Sequence, residues 1–275
     1  MMNQICLIAL DLDGTLLDSE KHLSEENRRA LEQCARLGIH IVPATGRAVD
    51  GIPGILRDLP GVRYAITTNG GAVMDLKTNT PLNRCVLTSE QALKVMDIAR
   101  GYHVMYDPYV NGRGITQPDF FEHMEEYGLR PVLQEMVRAT RDVVPDIYQY
   151  MEETKSSAEK VNIFLADPSE KEVLREALSV VPGLAISSSM YNNLEINARD
   201  ATKGNALLWL ADYLSVPVAS TMAFGDGEND IPMLKAAGIG IAMGNASDEV
   251  KAAADDITLT NDQFGVAAFI RYRVL

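Results

Sequence analysis

Two carboxylates one residue apart, Asp11 and Asp13 in Asp11-Leu12-Asp13-Gly14-Thr15, are the first residues whose types and spacing could do chemistry. Asp and Gly are also the usual turn residues, so the pentapeptide alone reads as a turn. Its place directly after the apolar run Ile5–Leu10 sets it apart. A carboxylate at a strand end can attack phosphorus and form an acyl-phosphate, while a neighbouring acid protonates the departing oxygen. Two acids facing a phosphate dianion would repel it, so this chemistry requires a cation, and hard carboxylate oxygens suit Mg²⁺. Gly225-Asp226-Gly227-Glu228-Asn229-Asp230 offers a third carboxylate in a glycine-bracketed turn that leads into a helix ending at Gly238. A calcium loop is excluded there, because Ile231 stands where that pattern needs glycine.

Thr45-Gly46-Arg47 combines a hydroxyl, a flexible backbone N–H and a guanidinium, a set suited to phosphate oxygens. Lys203 follows Thr202 at the opening turn of a helix, where a cation opposes the favourable sign of the helix dipole. Such a residue is either a solvated surface lysine or part of an anion site that also uses the free helix N–H groups. Taken by itself, its position favours the surface reading. The four histidines, His22, His40, His103 and His123, show no metal-ligand spacing, which argues against a zinc-histidine hydrolase. The stretch Gly238–Gly244 imitates a dinucleotide fingerprint but carries Met243 where the third glycine belongs.

These motifs need a scaffold that brings them together. Short, nearly continuous apolar runs, Ile5–Leu10, Ile39–Val42, Ala65–Thr67, Thr221–Phe224 and Ile239–Ala242, read as strands buried on both faces. Helical stretches lie between them: Ser24 with Glu25 and Glu26 opens one that Gly38 closes, Thr202 opens another reaching about Tyr213, and Ser247 opens one through Ala254. This alternation is the pattern of a doubly wound, mostly parallel sheet. Asp11, Thr45, Asn69 and Asp226 each follow an apolar run, so they share the carboxyl edge of that sheet, where open α/β folds bind ligands.

The middle third has a different texture, with six of the ten tyrosines, at Tyr102, Tyr106, Tyr109, Tyr127, Tyr148 and Tyr150. Helices over Ser89–Arg100 and Pro168–Val180, the latter with Asp167 and Glu170 as a capping box, sit among strand-like pieces such as Val161–Leu165. The expectation is a core of residues 1–83 and 192–275 with an inserted α+β domain over 84–191.

A net charge of −13 argues against nucleic acid and anionic membrane surfaces as partners. No stretch approaches the ~18 apolar residues of a membrane-spanning helix. The first apolar run is cut off by Asp11 and Asp13 and reads as a strand, not a signal peptide. Cys6, Cys34 and Cys85 form no CxxC pair, which fits the reduced cytoplasm.

Taken together, the chain resembles the haloacid dehalogenase superfamily, and within it the Cof-like phosphatases with the type IIB cap. Asp11-Leu12-Asp13-Gly14-Thr15 is similar to the first motif, Ala44-Thr45-Gly46-Arg47 to the second, Lys203-Gly204 to the third, and Gly225–Asp230 with Met233 to the fourth. Thr68-Asn69-Gly70-Gly71, Leu194-Glu195-Ile196 and Ile241–Ala246 agree with the family as well. The resemblance implies that Asp11 is the nucleophile and Asp13 the general acid and base. It implies that Asp11, the Asp13 backbone carbonyl and Asp226 hold Mg²⁺. Thr45, Gly46, Lys203 and Asn229 would hold the phosphoryl group, Asp230 would support the lysine and the metal, and Arg47 would reach toward the leaving group or the insertion.

The activity so implied is hydrolysis of a small phosphorylated metabolite, a sugar phosphate first, by a monomer, with specificity carried by the inserted cap. Nucleotides and phosphorylated cofactor precursors are also open. Tyr102–Tyr109 and Asn111-Gly112-Arg113-Gly114 are candidate substrate readers, although aromatic residues in a small domain also build its core. Two rivals stand beside this reading. One is a sugar phosphomutase, which would return the phosphoryl group to the sugar, and the other a non-catalytic protein that binds a phospholigand.

Overall fold

The computed structural model describes residues 4–275. From its start to Arg84 the chain forms β1 (Leu7–Leu10), α1 (Glu25–Arg36), β2 (His40–Pro43), α2 (Gly54–Arg57), β3 (Tyr64–Thr67), β4 (Ala72–Asp75) and β5 (Thr80–Arg84). It continues through α3 (Ser89–Ala99), β6 (Val104–Val110), β7 (Arg113–Thr116), α4 (Pro118–Glu122), α5 (Pro131–Thr140) and β8 (Arg141–Val143). Next come α6 (Ile147–Thr154), β9 (Lys160–Leu165), α7 (Lys171–Ser179), β10 (Leu184–Ser187) and β11 (Asn193–Ala198). The last stretch is α8 (Lys203–Tyr213), β12 (Thr221–Gly225), α9 (Ile231–Ala236), β13 (Ile239–Ala242), α10 (Asp248–Ala252), β14 (Asp256–Ile257) and α11 (Gly265–Arg273).

Two compact units result. The first comprises the chain up to Gly46, Ile52–Arg84 and Thr202–Leu275; the second comprises Arg47–Gly51 and Cys85–Ala201. The returning boundary lies beyond the one read from sequence. Residues 192–201, assigned there to the core, fall in the second unit, because β11 pairs antiparallel with both β9 and β10.

In the first unit the strands run β14-β13-β12-β1-β2, all parallel. Parallel bridges Ile41 to Val62 and Ala44 to Ile66 set β3 beside β2, and β3, β4 and β5 then form an antiparallel meander. Strand alternation divides the core into two layers. Ile8 and Leu10 pack with Leu31, Cys34, Phe224, Val266 and Ile270 on the face of α1 and α11. Leu7 and Ala9 pack with Leu207, Leu210, Met233 and Leu234 on the face of α8 and α9. Helices therefore cover both faces, as the doubly wound reading requires.

Local signals explain the helix starts. Ser24 accepts the Asn27 N–H at 3.2 Å ahead of α1, and Thr88 and Gln91 form a reciprocal capping box ahead of α3. The start of α7 departs from the sequence reading. Asp167 accepts the N–H of Ser169 at 2.9 Å, two residues on, so Pro168–Glu170 is a 3₁₀ turn and the α-helix begins at Lys171.

The second unit is built on a six-stranded sheet, β10-β11-β9-β6-β7-β8, antiparallel except where β7 meets β8. One face packs Tyr106, Val110, Ile163, Leu194 and Ile196 into a core with Val95, Met151 and Leu174 of its helices. Tyr106 and Tyr109 are both buried. Cys6, Cys34 and Cys85 carry free thiols.

Candidate active site

In the first unit β1 lies between β2, which follows it in sequence, and β12, which returns from the far end of the chain. The strand order reverses at β1, and such a switch point opens a crevice at the carboxyl ends of the strands. Asp11 stands there: its N–H donates to Phe224 O at 3.0 Å, continuing the pairing of β1 with β12 one residue past the strand. The chain then turns sharply. Leu16 N donates to Asp11 O at 3.2 Å, Leu17 N to Leu12 O at 2.9 Å, and Gly14 has a φ of +90°. A Cβ on Gly14 would lie 2.4 Å from Asp226 Oδ2, so glycine permits both the turn and the approach of the acid from β12.

Lys203 joins the site from the first turn of α8, whose Thr202 accepts the Asn205 N–H at 3.1 Å. Its Nζ donates to Asp11 Oδ1 at 2.7 Å and to Asp230 Oδ1 at 2.6 Å. The surface-lysine reading is overturned, since the side chain is fully buried. Burial works against its charge, but Asp11 and Asp230 outweigh it and hold the ammonium's pKa well above the usual range. Asp230 is itself fixed, because its Oδ2 accepts the backbone N–H groups of Asp226 at 3.0 Å and Gly227 at 2.9 Å.

Asp226 Oδ1 accepts the Thr15 hydroxyl at 2.7 Å. Asn245 Nδ2 bridges Gly14 O at 2.9 Å and Asp226 Oδ2 at 3.4 Å. Burial raises the pKa of Asp11 well above the carboxylate range against the pull of Lys203, with Asp230, Asp226 and Asp13 adding to the rise. Burial, then Asp230, pushes Asp226 up to about 6. The site thus holds more buried negative charge than one lysine offsets.

Carboxylate oxygens of Asp11, Asp226 and Asp230 come within 4.8 Å of one another. Their hard donor character and surplus charge fit a divalent cation such as Mg²⁺. Asp230 accepts three close hydrogen bonds, from Lys203 and two backbone N–H groups, whereas Asp226 Oδ2 takes only the 3.4 Å contact from Asn245, so Asp11 and Asp226 are the side chains better suited to hold the ion. The Asp13 side chain pairs with Lys21 Nζ at 2.8 Å.

The remaining sequence-derived residues are placed as follows. Thr45 is buried after β2, with its N–H donating to Ile66 O at 2.9 Å and its carbonyl accepting from Asn69 N at 3.0 Å. Gly46 follows it as the last residue of its segment in the first unit. Asn229 is buried and donates to Asn69 Oδ1 at 3.0 Å. Arg47 falls in the second unit and donates to Gly51 O at 2.8 Å. Thr15 and Asn245 were visible in the sequence without a role, and their contacts with Asp226 supply one. Lys21 was not singled out, since a lone lysine eight residues past Asp13 carries no pattern of its own.

A family model of haloacid dehalogenase-like hydrolases matches residues 8–270. The chain belongs to that family, and the relatives it matches along nearly their whole length are phosphatases. Among its relatives, phosphatase YwpJ of Bacillus subtilis is 32% identical over 282 residues, spanning 97% of this chain and 99% of that protein. The 5-amino-6-(5-phospho-D-ribitylamino)uracil phosphatase YcsE of the same organism is 31% identical, spanning 98% of this chain and 96% of its own. A solved haloacid dehalogenase-like hydrolase from B. subtilis has a TM-score of 0.86 at 29% identity, covering 98% of this chain and all of that one.

Proposed function

We propose that the protein is a Mg²⁺-dependent phosphatase that hydrolyses small phosphomonoesters, sugar and polyol phosphates first, through an aspartyl-phosphate on Asp11. The observation that carries this reading is the buried contact of Lys203 with Asp11 and Asp230 beside Asp226 at the switch point. The ribityl phosphate in the name of the relative YcsE supports a polyol phosphate as the substrate class.

In this mechanism an Asp11 carboxylate oxygen bonds to phosphorus as the bond to the leaving oxygen breaks, and Asp13 gives that oxygen its proton. A water then attacks the aspartyl-phosphate, Asp13 takes the water's proton, and Asp11 is regenerated with release of phosphate. Lys203, the Thr45 hydroxyl, the Gly46 N–H and the Asn229 amide hold the phosphoryl oxygens, and Asp230 holds Lys203. The carboxylates of Asp11 and Asp226 with the Asp13 carbonyl would hold Mg²⁺, which supplies neutralisation of charge on the transferring group. The inserted unit acts as the specificity cap in this reading, and Arg47 reaches toward the leaving group or that cap.

The protein acts as a cytoplasmic monomer in this reading, with its free thiols in support. Among the described residues no helix is long and apolar enough to cross a membrane.

The test is phosphate release from an aryl phosphate and a sugar-phosphate panel, with and without Mg²⁺, by the wild type and Asp11→Asn. Mg²⁺-dependent release lost in the variant is expected. An isomerised sugar phosphate without free phosphate would overturn hydrolysis in favour of a mutase.

A further inference from the structure

Between β3 and β4 the chain turns through consecutive residues with positive φ: Thr68 at +49°, Asn69 at +60° and Gly70 at +100°. Asparagine and glycine adopt such angles readily, but a β-branched threonine does so only when its surroundings force it. Thr68 is fully buried and Asn69 nearly so. Residues held at sparsely populated angles cluster at functional sites, where the surrounding structure over-determines them.

From this turn, contacts reach the residues read above as holding the phosphoryl group. The Asn69 N–H donates to the Thr45 carbonyl at 3.0 Å. That carbonyl and the Gly46 N–H belong to one planar peptide unit and point in opposite directions, so a bond at the carbonyl aims the N–H. The Asn69 side chain accepts the Asn229 amide through Oδ1 at 3.0 Å. That bond engages one of the two amide hydrogens and fixes the plane that directs the other. Gly70 packs on the backbone of Thr202, which a Cβ would strike, and Thr202 caps the helix that carries Lys203.

We propose that Asn69 is a positioning residue of the phosphoryl site: its main chain aims the Gly46 N–H, its side chain aims the Asn229 amide, and the left-handed turn lets one residue do both. The proposal rests on the reading of Gly46 and Asn229 as phosphoryl donors. Asn69 acts through those groups and not by touching the reacting atoms. Donors fixed in this way need no reorganisation when the phosphoryl group arrives, which is where such sites gain their strength.

The test is a double-mutant cycle on the full chain with Asn69→Gly and Asn229→Ala, read as kcat/KM for p-nitrophenyl phosphate with Mg²⁺. Glycine keeps the main-chain N–H and tolerates the left-handed angles, so it removes the side-chain acceptor alone. In the wild type it should lower kcat/KM about 10- to 100-fold, because a small misplacement of a binding group has effects of that size. In the Asn229→Ala background the same change should lower it by less than about threefold, since the group it orients is gone. Equal effects in the two backgrounds, or no effect in the wild type, overturn the proposal. Circular dichroism verifies folding. Asn69→Ser replaces a glycine variant that fails to fold, and failure of both overturns the proposal, because the role is then structural. If the wild type hydrolyses neither aryl nor sugar phosphates, the phosphatase reading falls and the same cycle is read as affinity for inorganic phosphate by calorimetry. Non-additive losses then uphold the positioning role, and additive losses or no binding to the wild type overturn it.

Discussion

Lys203 Nζ lies 2.6 Å from Asp230 Oδ1, while the other oxygen of that carboxylate accepts the N–H groups of Asp226 and Gly227. One side chain thereby fixes the lysine against Asp11 and shapes the turn that presents Asp226. Replacing Asp230 with alanine is expected to leave a buried ammonium short of one partner and two N–H groups without theirs. Breaking such a pair costs about 3–5 kcal/mol. A fall in the chemical-denaturation midpoint, with phosphate release reduced by orders of magnitude, is the expected result; an unchanged midpoint would refute the structural half of this account.

Asp226 gives a pH signature. Its pKa of about 6 in the fold lies above the ordinary 3.8, so the native state keeps its proton after the unfolded chain has lost it. The contribution of Asp226 to metal-free stability should therefore fall as pH rises from about 4 to 6, by at most about 3 kcal/mol, and the raised carboxyl of Asp11 adds to the fall. Mg²⁺ must displace that proton, so the thermal shift it produces should be larger at pH 7.5 than at pH 5. Equal shifts at both values would contradict the assignment of Asp226 as a ligand.

Thr15 orients Asp226 through a 2.7 Å hydrogen bond. Thr15→Val keeps the volume and removes the donor. Loss of such an orienting partner lowers metal affinity by about 10–100-fold, so the Mg²⁺ concentration for half-maximal activity should rise about tenfold while saturating activity changes less. Magnesium titration of both proteins checks it.

Lys21 pairs with Asp13 at 2.8 Å, and both side chains are about a third exposed, at 33% and 37%. An exposed pair of this kind contributes about 0–1 kcal/mol. Lys21→Met is therefore expected to leave stability nearly unchanged and to lower kcat severalfold, because the carboxylate of Asp13 loses the cation that fixes its orientation. Steady-state kinetics beside a denaturation curve separates the two effects.

The buried parallel strands were legible in the sequence because each is an apolar run ending in a polar motif; Ile239–Ala242 was read with its observed bounds. The gathering of Asp11, Thr45 and Asp226 followed from that pattern alone. The state of Lys203 was not legible locally, since its burial depends on partners 192 and 27 residues away in sequence. Leu194 and Ile196 mark a strand, but alternation does not say which sheet it joins. That depends on its pairing with β9, which moved residues 192–201 into the second unit.

Apart from Arg47–Gly51, the second unit is one uninterrupted stretch, Cys85–Ala201, while the acids at the strand ends and the lysine at the start of α8 are encoded on either side of it. A single recombination event could exchange that stretch whole, and point changes within it leave Asp11, Lys203 and Asp226 untouched. With the second unit as the proposed specificity cap, genetic variation can thus explore new ligands in one cassette while the phosphorus chemistry is inherited intact.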